Sequence, residues 1–106
     1  MEDLKIPQGY QRVMPYLIVN NAQRFLGFMK TVFDAAEKMK VMRDEEKIMH
    51  AELQVGESTI MFADSSKELR TQTAGMFVYV SDADETYNKA LAEGATSVME
   101  LSDQNY

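Results

Sequence analysis

Residues 12–33, RVMPYLIVNNAQRFLGFMKTVF, decide the fold. Arg12–Val19 is rich in large apolar and β-branched residues and is apolar on both faces, so it predicts a central, covered strand. Asn20 and Asn21 follow, and asparagine is a favoured helix N-cap. Phe25, Phe28, Met29, Val32 and Phe33 then recur at i, i+3, i+4, i+7 and i+8, which places them on one helix face. A strand therefore passes into an amphipathic helix within a few residues.

The same unit restarts at residues 74–95, AGMFVYVSDADETYNKALAEGA. Met76–Val80 predicts a strand. Asp82 and Glu85 have the N-cap and N3 spacing of a capping arrangement. Ala83, Tyr87, Ala90 and Leu91 form a helical stripe, and Gly94 suits the left-handed residue that ends a helix. Aligning Met14 with Met76 also aligns Leu17 with Tyr79, Asn20 with Asp82 and Phe25 with Tyr87, an internal repeat of about 62 residues.

Between the two units, Lys38–Arg43 predicts a strand and Asp44–Lys47 a charged turn. Ile48–Val55 alternates: Met49, Ala51, Leu53 and Val55 point one way, and His50, Glu52 and Gln54 the other. Gly56–Ser58 closes a hairpin into Thr59–Ala63. Residues 65–74 read as a linker, between a first module over about residues 10–64 and a second over 75–106. Thr96–Leu101 would be a further strand. The fold class is α+β, with two βαβββ-type modules, the second lacking its final hairpin in this chain.

Composition narrows the function. The 106 residues suit one domain, with 45% hydrophobic and 26% charged residues. The net charge of -6 argues against nucleic acid or an anionic membrane as partner. With no cysteine, there is no disulfide, thiolate metal site or cysteine nucleophile. The N-terminus shows no signal-peptide pattern and no apolar run reaches the roughly 20 residues of a membrane span. A cytoplasmic protein is expected. The glycines never form a phosphate-binding GxG.

In this order, the segments YLIVNNAQRFLGFMKTVF, IMHAELQVGESTIMFAD and AGMFVYVSDADETYNKALAEGA resemble the vicinal oxygen chelate superfamily of glyoxalases, bleomycin-resistance proteins and extradiol dioxygenases. The HAEL strand before a short hairpin is most similar to its PhnB-type branch. The resemblance covers about residues 10–105. It implies curved sheets around a cleft, and a homodimer. In metal-dependent relatives a divalent ion sits in that cleft. The first-strand and last-strand ligand positions of module one fall on Met14 and Met61, and the first-strand position of module two on Met76. The fourth position lies beyond Tyr106.

Zn, Ni, Fe and Mn take nitrogen and oxygen donors, which a thioether replaces poorly. The expectation is a metal-free cleft without a cofactor, lined by Met14, Tyr16, Met61, Met76 and Val78 and holding a small apolar or amphipathic molecule. A Cu(I) site on the three thioethers is the softer alternative. His50 and Glu52, neighbours on one strand face about 7 Å apart, are the catalytic candidates. They are also where a displaced metal would sit if the protein were a glyoxalase-like lyase, isomerase or dioxygenase. A purely structural dimer without ligand is the third reading. Tyr16 should enter the cleft, and Tyr79 should face the helix layer with Phe77.

Overall fold

A computed structural model describes residues 4–103. The elements run β1 (Tyr16–Val19), α1 (Ala22–Phe33), β2 (Ala36–Met42), β3 (Ile48–Val55), β4 (Ser58–Asp64) and α2 (Ala83–Ala92). The four strands form one sheet in the order β1-β4-β3-β2. β1 lies parallel to β4, and the other pairs are antiparallel. The chain is thus α+β, with a complete first module and a partial second one.

The strand predicted over Arg12–Val19 begins only at Tyr16. Pro15 has no N–H to donate, so the ladder cannot extend through it, although its carbonyl still accepts from the Met61 N–H at 3.0 Å. The helix starts as its spacing requires. Asn21 is the N-cap, in the left-handed region, and its side chain accepts from the Arg24 N–H at 3.2 Å. Ala22, Leu26, Met29 and Val32 are the buried residues of α1, and Phe25, Phe28 and Phe33 pack around the core at its margin. The apolar stripe is therefore centred about one residue away from the phenylalanines.

That face of α1 covers Leu17, Ile48, Ala51, Leu53, Ile60 and Phe62 of the sheet. Phe25 meets Phe62 edge-on, with centroids 5.0 Å apart. Burying a side chain such as Phe62 or Leu53 stabilises the fold by roughly 2–3 kcal/mol.

Ile48 reaches this core because β3 carries a bulge. Val41 pairs with His50, and Met42 with Ile48, so Met49 is the extra residue. The alternation read from the sequence put Met49 on the core face. In the structure it is 52% exposed and Ile48 takes its place, because the bulge reverses the phase of the strand.

Asp64 ends β4 with a buried carboxylate that ties three elements together. Oδ1 accepts from the Ala22 N–H at 2.8 Å, at the first turn of α1, and Oδ2 accepts from the Ile48 N–H at 2.7 Å, at the start of β3. Its backbone closes the register with β1 opposite Val19.

The second module differs from expectation. Asp82 caps α2 by accepting from the Glu85 N–H at 3.0 Å, and Gly94 follows the helix at φ 106°. Neither Met76–Val80 nor Thr96–Leu101 forms a strand. A strand is held by hydrogen bonds to a neighbour, and among the described residues no other strand lies beside either segment. Phe77 and Tyr79, expected against the helix layer, are instead 77% and 91% exposed and touch each other edge-on.

Asp64→Ala would leave two buried N–H groups without an acceptor. The expected loss is on the order of 3 kcal/mol, read from urea denaturation. Asp64→Asn keeps one acceptor oxygen and should fall between the variant and the wild type. An Ala variant as stable as the wild type would contradict this account.

Candidate functional site

The sheet face turned away from α1 carries the site. Tyr16, Met61, Glu52 and Met39 form one row across β1, β4, β3 and β2, each the Cα partner of the next. Val41 lies opposite His50 in the neighbouring position. Tyr16, Met39 and Val41 are exposed, whereas Glu52 is only 4% exposed.

A hydrogen-bonded string crosses this row. The Tyr10 hydroxyl donates to Glu52 Oε1 at 2.5 Å. His50 Nε2 lies 2.8 Å from Glu52 Oε2, and His50 Nδ1 lies 2.9 Å from the Tyr16 hydroxyl. Burial pushes the Glu52 carboxyl up, but the hydrogen bonds from Tyr10 and His50, with His50 and Lys38 nearby, outweigh it. Glu52 is held below the usual glutamate range and is a carboxylate. A carboxylate only accepts, so Nε2 carries the proton that points at it. In a neutral imidazole Nδ1 is then bare, and the Tyr16 hydroxyl donates to it. With the ring neutral the string has one direction: Tyr16 O–H to His50, and His50 N–H to Glu52.

Desolvation raises the Tyr16 hydroxyl pKa, and the Glu52 charge adds to the rise. Tyr10 is raised too, chiefly by its hydrogen bond to Glu52 and then by burial. Both phenols stay protonated near neutrality and act as donors.

The segment over Gly9–Gln11 is strapped to the sheet. Gln11 pairs with the backbone of Thr59 in both directions, Nε2–H donating to its carbonyl at 2.7 Å and Oε1 accepting from its N–H at 3.2 Å. The Thr59 hydroxyl donates to the Gly9 carbonyl, which also accepts from Lys38 Nζ at 3.2 Å. Lys38 is the extra residue of a second bulge, between Glu37 and Met39, and its ammonium sits 4.0 Å from the centre of the Tyr10 ring. Gly9 lies at φ +87°, and a Cβ there would come within 3.0 Å of Lys38 Nζ, so the strap needs glycine at this point.

The strap borders an open cavity of about 310 Å³ whose walls include Ile6, Tyr10, Met14 and Met61 and the two cations Lys5 and Arg12. The structure thus brings together Met14 and Met61, with Tyr16 beside Met61 in the row and joined to His50 and Glu52 by hydrogen bonds. It does not bring Met76 or Val78 to them. Those two line a separate cavity of about 470 Å³ with Met29, Phe33 and Ile60, residues of the helix-covered side. A larger groove, of about 600 Å³, runs between α1 and the turn at Gly94 and holds none of these residues.

Sequence reasoning missed Tyr10, Lys38, Met39 and Val41. The signal for Tyr10 was the turn pair Pro7 and Gly9, which folds the lead-in back over the sheet: the Tyr10 N–H donates to the Pro7 carbonyl at 3.1 Å.

A divalent ion of the kind the resemblance implies does not fit this donor set. Met14 and Met61 offer thioethers, and Met76 stands in another cavity. Both nitrogens of His50 and both oxygens of Glu52 already have partners, so a displaced ion there would have to break the string. Among the described residues no group of three His, Asp or Glu side chains converges.

The architecture is that of an α+β protein with one βαβββ unit, its four-stranded sheet covered by α1 on one face and open on the other. Residues 9–106 match the Glyoxalase/Bleomycin resistance protein/Dioxygenase superfamily, and the chain belongs to that superfamily. Uncharacterized proteins of Mycobacterium bovis and Mycobacterium tuberculosis are 31% identical over 101 residues, 85% of this chain and 66% and 59% of theirs. The chain spans about three fifths to two thirds of the length of these curated relatives. TioX from Micromonospora sp. ML1 shares the fold with a TM-score of 0.64 at 24% identity, over 91% of this chain and 80% of that one. The fosfomycin resistance protein FosX of Listeria monocytogenes shares it at 0.58 and 19%, over 78% and 69%. At such identities the likeness is one of fold. No helix among the described residues is long and apolar enough to cross a membrane.

The depressed Glu52 carboxyl has a stability consequence of defined sign. Its stabilising contribution is complete above the pKa of an unfolded glutamate, about 4.3, and is lost as pH falls through the lower folded value. Glu52→Gln should therefore be less stable than the wild type near neutrality. The gap should shrink on acidification below about pH 4, in urea midpoints taken across a pH series. A gap that stays constant with pH would contradict the assignment.

Proposed function

We propose that the chain binds a small amphipathic molecule on the open face of its sheet, without a glyoxalase-type metal. One observation carries this reading: a mostly apolar cavity walled by Met14 and Met61, with Lys5 and Arg12 at its margin, adjoins a hydroxyl–imidazole–carboxylate string on the same face. Methionines adapt to irregular apolar guests, and a few convergent polar groups fix orientation. The superfamily includes bleomycin resistance proteins, and one fold neighbour is a fosfomycin resistance protein, which supports a role in handling small molecules. A homodimer is part of the proposal. It is supported by the exposed apolar side chains of Phe77, Tyr79, Val98 and Met99, which a second copy would cover.

Nile red, a neutral fluorophore without hydrogen-bond donors, tests the cleft. Saturable enhancement of its emission is expected in the wild type. Met61→Glu should weaken binding by tenfold or more, since a buried carboxylate costs about 2 kcal/mol or more. No saturable binding, or equal binding by the variant, would sink the reading. Light scattering tests assembly separately: twice the chain mass is expected, and a monodisperse monomer would remove the dimer.

A further inference from the structure

The direction of the string fixes which face of the Tyr16 hydroxyl is offered to a guest. Tyr16 has one proton, and opposite a neutral His50 it is committed to Nδ1, 2.9 Å away. His50 cannot release it by rotation or tautomer exchange without cost, because its other nitrogen is held 2.8 Å from the buried Glu52 carboxylate. Glu52 in turn is pinned by Tyr10 on its second oxygen. What remains free at Tyr16 is the oxygen's lone pairs, on a side chain 48% exposed.

We infer that the Tyr16 oxygen is the cleft's polar recognition point and acts as an acceptor, so that the guest is an amphipathic molecule with a hydrogen-bond donor, best an ammonium group. This rests on the cleft reading above and gives it a ligand class. The apolar body would lie over Met61, the neighbour of Tyr16 in the row, and Met14, two residues before it. At the Tyr16 oxygen the local electrostatics agree with the direction, although Lys5 and Arg12 stand on the wall of the Met14 and Met61 cavity. Glu52 is the buried negative charge behind the string, and its field already disfavours a second anion at Tyr16. The groups facing His50 and Glu52 are Tyr16 from β1, Tyr10 from the strap and Lys38 from β2. The one cation among them, Lys38, is engaged at the far end, by the Gly9 carbonyl, the Thr59 hydroxyl and the Tyr10 ring. A carboxylate or phosphate at Tyr16 would find no free proton and a buried negative charge behind it. An imidazolium would reverse the bond and release the hydroxyl proton, so the preference belongs to the neutral ring.

Two probes with the same apolar body test this: 1-naphthylmethylammonium and 1-naphthaleneacetate. Their affinities are measured by calorimetry at mildly alkaline pH. The wild type should bind the ammonium about tenfold more tightly, the scale of one charge-assisted hydrogen bond. Tyr16→Phe should bring the two probes to within about twofold. His50→Ala frees the hydroxyl proton to turn outward, so it should raise naphthaleneacetate affinity severalfold, a gain that mere loss of structure would not produce. Equal affinities in the wild type, or a preference that survives Tyr16→Phe, would overturn the inference. Absent Nile red binding beside a Tyr16-dependent ammonium preference would instead remove the apolar cleft and leave the acceptor standing.

Discussion

The Asp64 carboxylate is the constraint from which the rest of the arrangement follows. Its two oxygens hold the first turn of α1 and the first residue of β3 at one point, at the end of the only parallel strand pair among the described residues. A parallel pair needs a crossover, and α1 with β2 and β3 provides it. Because Asp64 fixes where that crossover departs and where β3 begins, it also fixes which sheet face α1 covers. The opposite face is left for chemistry. A buried carboxylate is costly unless its acceptors are filled, and here both are filled by backbone donors that would otherwise be orphans.

On the open face the same economy of partners recurs with side chains. Glu52 is buried and doubly bonded, His50 is held between two oxygens, and the Gly9–Gln11 strap is fixed by Thr59 and Lys38. Among the described residues no buried side-chain polar atom lacks a partner. The two bulges matter to this result. The one at Met49 puts Ile48 into the core while leaving His50 and Glu52 outward, and the one at Lys38 lets an ammonium reach the strap from the strand that also presents Met39. A regular ladder would have satisfied only one face at a time.

Much of the fold was legible because local signals and packing agree. The spacing of Phe25 to Phe33 marks α1, the alternation around Ala51 and Leu53 marks β3, and Asp82 caps α2 through Glu85 as its spacing requires. Legibility ended where a residue's role depends on a distant partner. Met49 has the sequence of a core residue, yet register shifts decided its face. Met76–Val80 has the composition of a strand, but strands are made by neighbours as much as by propensity. At the site, alternation put His50 with Glu52 and Tyr16 with Met14, each pair on one strand face, and the family resemblance put Met14 and Met61 at the cleft. Tyr10 could not, because it arrives through a turn and a contact spanning 42 residues. The repeat itself paired Met14 with Met76, and a repeat in sequence does not specify how far the two copies stand apart in space.

α2 has no buried residue, whereas α1 has four. Its cap at Asp82 and its Lys89–Glu85 pair at 3.1 Å are local and solvent-exposed, worth little against solvent. The molecule is therefore two-tiered in time as well as in space. Amide protons of α2 open to solvent through fluctuations of small free energy, while those of β3 and β4 exchange only through opening of the whole first module. The wall that holds the string and its methionine cavity is the slow tier, so the site can keep its geometry while α2 opens and closes.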